Sequence, residues 1–375
     1  MVNEKRLISL FTHLVGTGSE SGAEGLFRDL LIKEFKNRGL AVFEDGAASV
    51  VNGDSGNLLV RIPGTIEAKP LLFAAHMDTV KPGIGIKPLV GEDGIIRSSG
   101  DTILGADDKA AIAVLIEAYD ILIENKLDYP PLEFLFTVCE ENGLLGAKAF
   151  DYSLLKSSLG YVLDAGGDPG HIIIKSPAQY EMEFKVYGKA SHAGINPEDG
   201  INAINLAAKA LTKMPYGRID EETTCNFGLI SGGKARNIVA DYCSFTGEAR
   251  SLNREKLDKF KDDLINIFTT TIEENGGKPE VDVEFLYPEI NLDLDDEVVV
   301  LVKKAVERIG LEPLLTSTGG GSDASVINGQ GISCANLGIG MQEVHTNAEF
   351  IRIGDLVNDA RLVLAIIEEY LSNLS

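Results

Sequence analysis

What most limits the folds open to this chain is a set of short, largely apolar runs that each stop on a polar, chemistry-bearing residue. Leu71–Ala75 ends in His76-Met77-Asp78, Leu132–Val138 in Cys139-Glu140-Glu141, and Tyr161–Leu163 in Asp164. Runs of this length, the first bounded by Pro70, read as strands buried on both faces. Between the first two lies a segment with Ile112, Leu115, Ile116 and Tyr119 at helical spacing, and Gly143 to Phe150 reads as a short helix. Strands alternating with helices predict an α/β fold with a mostly parallel sheet and helices on both faces. Ligands collect where the strands of such sheets end. The residues that close the runs are therefore the first place to look for chemistry.

Composition narrows the function classes. The 375 residues carry a net charge of −23. Nucleic acid and anionic membranes both demand basic surface, so neither is expected as a partner. Acidity serves solubility and leaves room for a carboxylate cluster that a divalent cation would neutralise. The four cysteines, Cys139, Cys225, Cys243 and Cys334, are scattered without a CxxC pair, which reads as buried thiols in a reducing cytoplasm. The N-terminal stretch has helical spacing at Leu7, Leu10, Phe11 and Leu14 and no signal-peptide core. AAIAVLI is the best candidate for a membrane span, and Glu117 breaks it. A cytoplasmic protein is expected.

Residues 3–39 read as two helices, interrupted at Ser19-Glu20-Ser21 and stopped by Gly39. Val42–Phe43 and Asn57–Ile62 read as strands, and Lys81 to Gly100 as a Gly/Pro-rich loop. The middle of the chain changes character. Tyr180, Met182, Phe184 and Val186 alternate with Glu181, Glu183 and Lys185 in a half-buried strand. A helix at Ile201–Met214, strands near Thr223–Ile230 and Asp241–Ser251, a long helix at Lys256–Glu274 and a strand at Val281–Tyr287 complete the order βαββαβ. This is a compact ferredoxin-like sandwich. It reads as an insertion, 177–289, in a catalytic domain made of 1–176 and 290–375, because the α/β pattern then resumes. Glu297–Ile309 and Leu356–Tyr370 are the later helices, and Cys334–Leu337 is a strand leading towards His345.

Five residues at strand or turn ends are candidate metal ligands: His76, Asp107, Glu141, Asp164 and His345. Two imidazoles and three carboxylates suit a pair of borderline divalent ions, zinc first. A carboxylate can bridge two ions about 3.5–4 Å apart, and Asp107, at the mouth of a helix in GADDK, is a sensible bridge. Each residue also has a plainer reading. Asp107 or Asp108 could be a helix N-cap, Glu140-Glu141 a solvated pair, Asp164 a turn residue before Gly166, and His345 a surface loop residue. Their common position at the ends of buried-looking strands or just past them favours the cluster. Ser317–Ser325 is rich in glycine, but no P-loop lysine follows, so a tight turn shaping a pocket is the better reading than a phosphate cradle.

The chain resembles the M20 family of co-catalytic metallopeptidases, and within it the peptidase T-like tripeptide aminopeptidases. The matching pieces are HMDTV (76–80), GADDKA (105–110), EENGLLGA (140–147), YVLDAGG (161–167), KASHAG (189–194), GGKARNIVAD (232–241), GGGSDAS (319–325) and the late His345. They span almost the whole chain in the family's order, though the loop after His76 looks shorter than in the longest relatives. The resemblance implies two zinc ions per subunit, with cobalt or manganese as alternatives. His76, Asp107 and Asp164 would hold one, and His345, Asp107 and Glu141 the other. Asp78 would hydrogen-bond the His76 imidazole and fix its tautomer. Glu140 would be the general base, relaying a proton from the attacking water to the leaving amine. His192, on the insert, would stabilise the oxyanion, in many relatives from the partner subunit of a dimer. Arg250 would grip the substrate's C-terminal carboxylate and Asn237 would help polarise the carbonyl.

The expected protein is thus a two-domain di-zinc aminopeptidase acting on short peptides, most of all tripeptides. Its inserted domain would serve as lid and homodimer surface. Asp164 favours that substrate class, because relatives that prefer N-acyl amino acids often carry Glu there. The nearest rival is a dipeptidase or N-acyl amino acid amidohydrolase of the same family. A remote one is a non-catalytic nucleotide-binding α/β module, which would leave HMD and the paired glutamates unexplained.

Overall fold

A computed structural model describes residues Met1–Leu374, which form two compact units. The first comprises Met1–Lys175, Asn291–Thr318 and the chain from Ser322 onward, and the second comprises Ser176–Ile290 with Gly319–Gly321.

The first unit is an α/β domain. Its sheet runs in the order Val42–Glu44, Leu58–Ile62, Leu132–Thr137, Leu71–His76, Leu159–Ala165, Ser333–Gly338 and His171–Ser176, with Leu314–Ser317 beside the last. The four central strands, Leu132–Thr137, Leu71–His76, Leu159–Ala165 and Ser333–Gly338, are parallel. Antiparallel pairs lie towards the edges. Leu71–His76 and Leu132–Thr137 are buried along their whole length, as their apolar runs require. The polar exception inside the second run, Glu133, is satisfied by the backbone amides of Lys156 and Ser157 and the Ser157 hydroxyl. In register, His76 pairs with Thr137 and Ala74 with Val162, so His76, Thr137 and Asp164 all emerge at one edge of the sheet.

Helix Ala106–Glu124 is buried almost all round and leads away from that edge. The Glu117 that interrupts its apolar run is fully buried, and Arg6 and the Asn3 amide hold its carboxylate. No helix among the described residues is long and apolar enough to cross a membrane. All four cysteines are buried and free. The expected loop from Lys81 to Gly100 is partly ordered into strands. Leu89–Val90 and Ile95–Arg97 form a small sheet with Phe350–Arg352. Two such short strands carry little signal of their own, and their pairing partner comes from far along the chain. A short helix, Ala47–Val51, and the strand His171–Ser176 also went unforeseen.

The second unit is a separate antiparallel sheet, in the order Gly217–Arg218, Thr223–Gly232, Tyr242–Ser251, Ala178–Tyr187, Lys278–Tyr287. Tyr180, Met182, Phe184 and Val186 point into a core shared with Phe245 and with Leu257, Leu264 and Phe268 of helix Arg254–Glu274. Glu181, Glu183 and Lys185 take the other face, as period-two alternation demands. The Gly319–Gly321 tripeptide joins this unit. Arg250 donates to the Gly319 carbonyl at 3.1 Å, and the Gly321 amide donates to Tyr287 Oη at 3.2 Å. A Cβ at Gly321 would lie 2.3 Å from the Tyr287 ring, so this position requires glycine.

Candidate active site

The carboxyl edge of the parallel strands gathers the five candidate ligands. His76, the last residue of its strand, is buried. Its Nδ1 donates to the backbone carbonyl of Asp78 at 2.9 Å, and a carbonyl can only accept. Its Nε2 faces Asp107 Oδ1 at 2.8 Å and Asp164 Oδ1 at 3.7 Å, and against its burial these carboxylates raise the His76 pKa well above the ordinary imidazole value. Asp107 lies at the start of helix Ala106–Glu124 with ψ 103°, and its peptide to Asp108 is cis. Neither aspartate caps the helix with a side-chain hydrogen bond. Asp107 offers its second oxygen, Oδ2, to His345 Nε2 at 3.2 Å, and Glu141 Oε1 stands 2.8 Å from that same nitrogen. One carboxylate thus faces both imidazoles, one oxygen to each.

The paired glutamates enter from a turn. Cys139 is left-handed, with φ 50°, and its amide donates to the buried Glu24. Beyond this reversal Glu141 meets His345, while Glu140 lies with His76 and Asp164, donor atoms all within 4.8 Å of one another. A second such group is His76, Asp107 and Glu141. The Asp78 carboxylate spans the turn. Oδ1 accepts from the Glu140 amide at 2.9 Å, and Oδ2 from the Glu141 amide at 3.2 Å and the Ser21 hydroxyl at 2.7 Å. Its Oδ1 stands 3.4 Å from His76 Nδ1, so the carbonyl of Asp78, more than its carboxylate, sets the ring.

The electrostatics follow from burial. Burial, reinforced by Asp164, raises the Glu140 pKa well above the usual carboxylate range. Burial pushes Asp164 up to about 7 against the pull of His76. Asp107 goes the other way, because hydrogen bonds from His345 and His76 outweigh its burial and lower it. Contacts with Asp107 and Glu141 raise His345 to about 10. The cluster thus holds more carboxylate than its two imidazoles neutralise, with imidazole nitrogens and carboxylate oxygens converging. That is the donor chemistry of a divalent-cation site, and oxygen and nitrogen donors without thiolate suit zinc, cobalt or manganese.

Sequence reasoning missed several residues around this edge. Asp108 Oδ2 accepts from the His76 amide at 3.1 Å, while its buried Oδ1 has no hydrogen-bond partner. Asp323 is buried and hydrogen-bonded by the Thr137 hydroxyl, with burial raising its pKa to about 6. Glu349 accepts from three amides of the loop that carries Asp107. The only available signal was acidic residues inside or beside the matched motifs, which does not tell ligand from support.

His192, Asn237 and Arg250 belong to the second unit. The His192 and Asn237 segments pair: His192 bridges Ile238, and the Ala193 amide donates to the Asn237 carbonyl at 3.0 Å. His192 Nδ1 accepts from the Gly194 amide at 3.2 Å, which leaves the proton of the neutral ring on Nε2. Arg250 is engaged by Glu248 through Nε and Nη2, besides the Gly319 carbonyl.

Known proteins resemble the chain over its full length. Residues 177–275 match the model of the M20 peptidase dimerisation domain, and residues 57–200 that of peptidase family M28. The uncharacterized protein YqjE of Bacillus subtilis is 44% identical over 98% of this chain and 99% of its own. The crystal structure of aminopeptidase PepT from Bacillus cereus matches with a TM-score of 0.93 at 44% identity, covering 99% of each chain. That of a tripeptidase from Staphylococcus aureus matches with a TM-score of 0.94 at 40% identity, covering 98% of each.

Proposed function

From the premise that the chain belongs to the M20 family of metallopeptidases, in its peptidase T-like branch, we propose an aminopeptidase that releases the N-terminal residue of short peptides, tripeptides first. The observation that carries this reading is Asp107 facing His76 and His345 with one oxygen each, with Glu140 in the same cluster. His76, Asp107 and Asp164 would hold one divalent cation, and His345, Asp107 and Glu141 a second, zinc before cobalt or manganese. When bound, such ions polarise the attacking water and the scissile carbonyl.

The chain's own residues do the rest. The Glu140 carboxylate has a raised proton affinity, so it takes the water proton and returns it to the leaving amine. Asp78 aims this base by pinning the amides of Glu140 and Glu141, while its carbonyl keeps the His76 lone pair on Nε2. The insert, 177–289, acts as lid and homodimer surface, a role supported by its match to the dimerisation domain. His192 donates its Nε2–H to the carbonyl oxygen as charge develops, Asn237 assists, and Arg250 meets the substrate carboxylate. Four buried free thiols support a reducing, cytoplasmic setting.

A competition assay tests this. The zinc-supplemented protein receives equimolar tripeptides, dipeptides, N-blocked tripeptides and acetyl amino acids, with and without chelator, and products are read by mass spectrometry. Chelator-sensitive loss of unblocked tripeptides alone, to an amino acid and a dipeptide, is the expected result. Prior loss of blocked substrates would move the substrate class to the amidohydrolases.

A further inference from the structure

Glu349 stands four residues beyond His345, is 1% exposed, and spends its carboxylate on a single loop. Oε2 accepts from the amides of Leu104 at 2.7 Å and Gly105 at 2.8 Å, and Oε1 from the amide of Asp107 at 3.1 Å. Gly105 has φ 74°, a left-handed residue that lets neighbouring N–H groups converge on one anion. Glu349 is itself anchored. Gln342 and Phe350 exchange two backbone hydrogen bonds, and the Glu349 amide donates to the Thr346 carbonyl, closing a short loop with His345 inside it. The Asp107 loop and the His345 loop therefore meet twice, through Asp107 Oδ2 and His345 Nε2, and through Glu349.

We infer that Glu349 is a positioning residue that couples the two loops, holding Asp107 and His345 at the spacing at which one carboxylate serves both imidazoles. It touches neither substrate nor reacting atoms and acts through the backbone of Asp107. The inference rests on the reading of Asp107 and His345 as ligands of a shared centre. His345 needs such a coupling because its side chain is half exposed and its backbone left-handed, with φ 64°, whereas His76 is built into a buried strand. Loosening Glu349 thus weakens the centre most on the His345 and Glu141 side, because Asp108 Oδ2 still ties the Asp107 loop to the His76 amide at 3.1 Å.

The test compares Glu349→Gln and Glu349→Ala with the wild type and with Glu133→Gln. Glu133 is an equally buried carboxylate that also accepts backbone amides, but it serves Lys156 and Ser157. Metal-stripped proteins are titrated with Co2+, following absorption and calorimetry, and melting temperatures are recorded. The expected result is one Co2+ affinity reduced roughly 10–100-fold in the Glu349 variants and the other changed little. Excess Co2+ should restore turnover in Glu349→Gln, and Glu133→Gln should lose melting temperature without losing metal. Two wild-type affinities in a folded Glu349→Gln protein would overturn the coupling role and leave the ligand assignment standing. A wild type that binds no Co2+ would overturn the ligand assignment and this inference together. If Glu349→Ala does not fold, Glu349→Gln decides.

Discussion

Asp78 holds His76 through its backbone carbonyl, 2.9 Å from Nδ1, while its carboxylate turns to the amides of Glu140 and Glu141. One residue thus orients a candidate ligand with its main chain and a candidate base with its side chain. The motif His-x-Asp had pointed to the carboxylate for the first task. In the fold, the strand ends at His76, and beyond it the Asp78 carbonyl meets the ring while its side chain reaches the neighbouring turn.

Asp78→Asn separates the two tasks. The carbonyl remains, so metal content should stay near wild type. An amide group in place of one acceptor oxygen confronts an N–H donor of Glu140 or Glu141, and the turn shifts. A displacement on the order of 1 Å at a catalytic group costs roughly 100-fold, so kcat should fall by about that factor with KM little changed. Steady-state kinetics alongside metal analysis checks this, and loss of metal at unchanged kcat would contradict it.

Glu140→Ala should retain its metal and lose turnover by roughly 100- to 10,000-fold, the usual range for a general base. Full activity in a folded, metal-loaded variant removes Glu140 from the chemistry.

His345→Ala should lower bound metal, since it withdraws the donor that Asp107 Oδ2 and Glu141 both face. Metal analysis after dialysis against a weak chelator reads the result. Two tightly held ions in this variant would sink the ligand assignment.

Asp359 offers a stability test away from the cluster. It lies in helix Ile353–Leu374, 1% exposed, with neither oxygen hydrogen-bonded. Burial, with Asp355 and Asp168 nearby, raises its pKa well above the ordinary carboxylate value. Below the unfolded pKa both states are protonated and no penalty exists. As pH rises past it the unfolded state ionises first, so folded-state stability declines by about 1.4 kcal/mol per pH unit until the buried group also ionises. Asp359→Asn should therefore melt higher relative to wild type at pH 8 than at pH 4.5. An equal difference at both pH values would show that Asp359 is ionised in both states.

Much of this molecule was legible in its sequence. Leu71–Ala75 and Leu132–Val138 announced buried strands because apolar runs that short have few other uses, and the alternation at Tyr180–Val186 announced a one-sided sheet. His76, Glu141 and Asp164 were legible as candidates because each follows such a run, Asp107 because it stands at the mouth of a helix, and His345 because a strand leads towards it. The small sheet of Leu89–Val90, Ile95–Arg97 and Phe350–Arg352 was not, since its pairing joins segments distant in sequence.

Sequence by itself determined what is local and periodic: which segments bury one face or two, where they end, and which acids and imidazoles stand at those ends. Only the tertiary structure decided which oxygen meets which nitrogen. That Asp107 faces two imidazoles, that Asp78 splits its carbonyl from its carboxylate, and that Glu349 ties one loop to another all depend on chain reversals at Gly105, Cys139 and His345, where φ is positive. A side chain's type is written in the sequence, but its direction depends on backbone turns settled by contacts between remote segments.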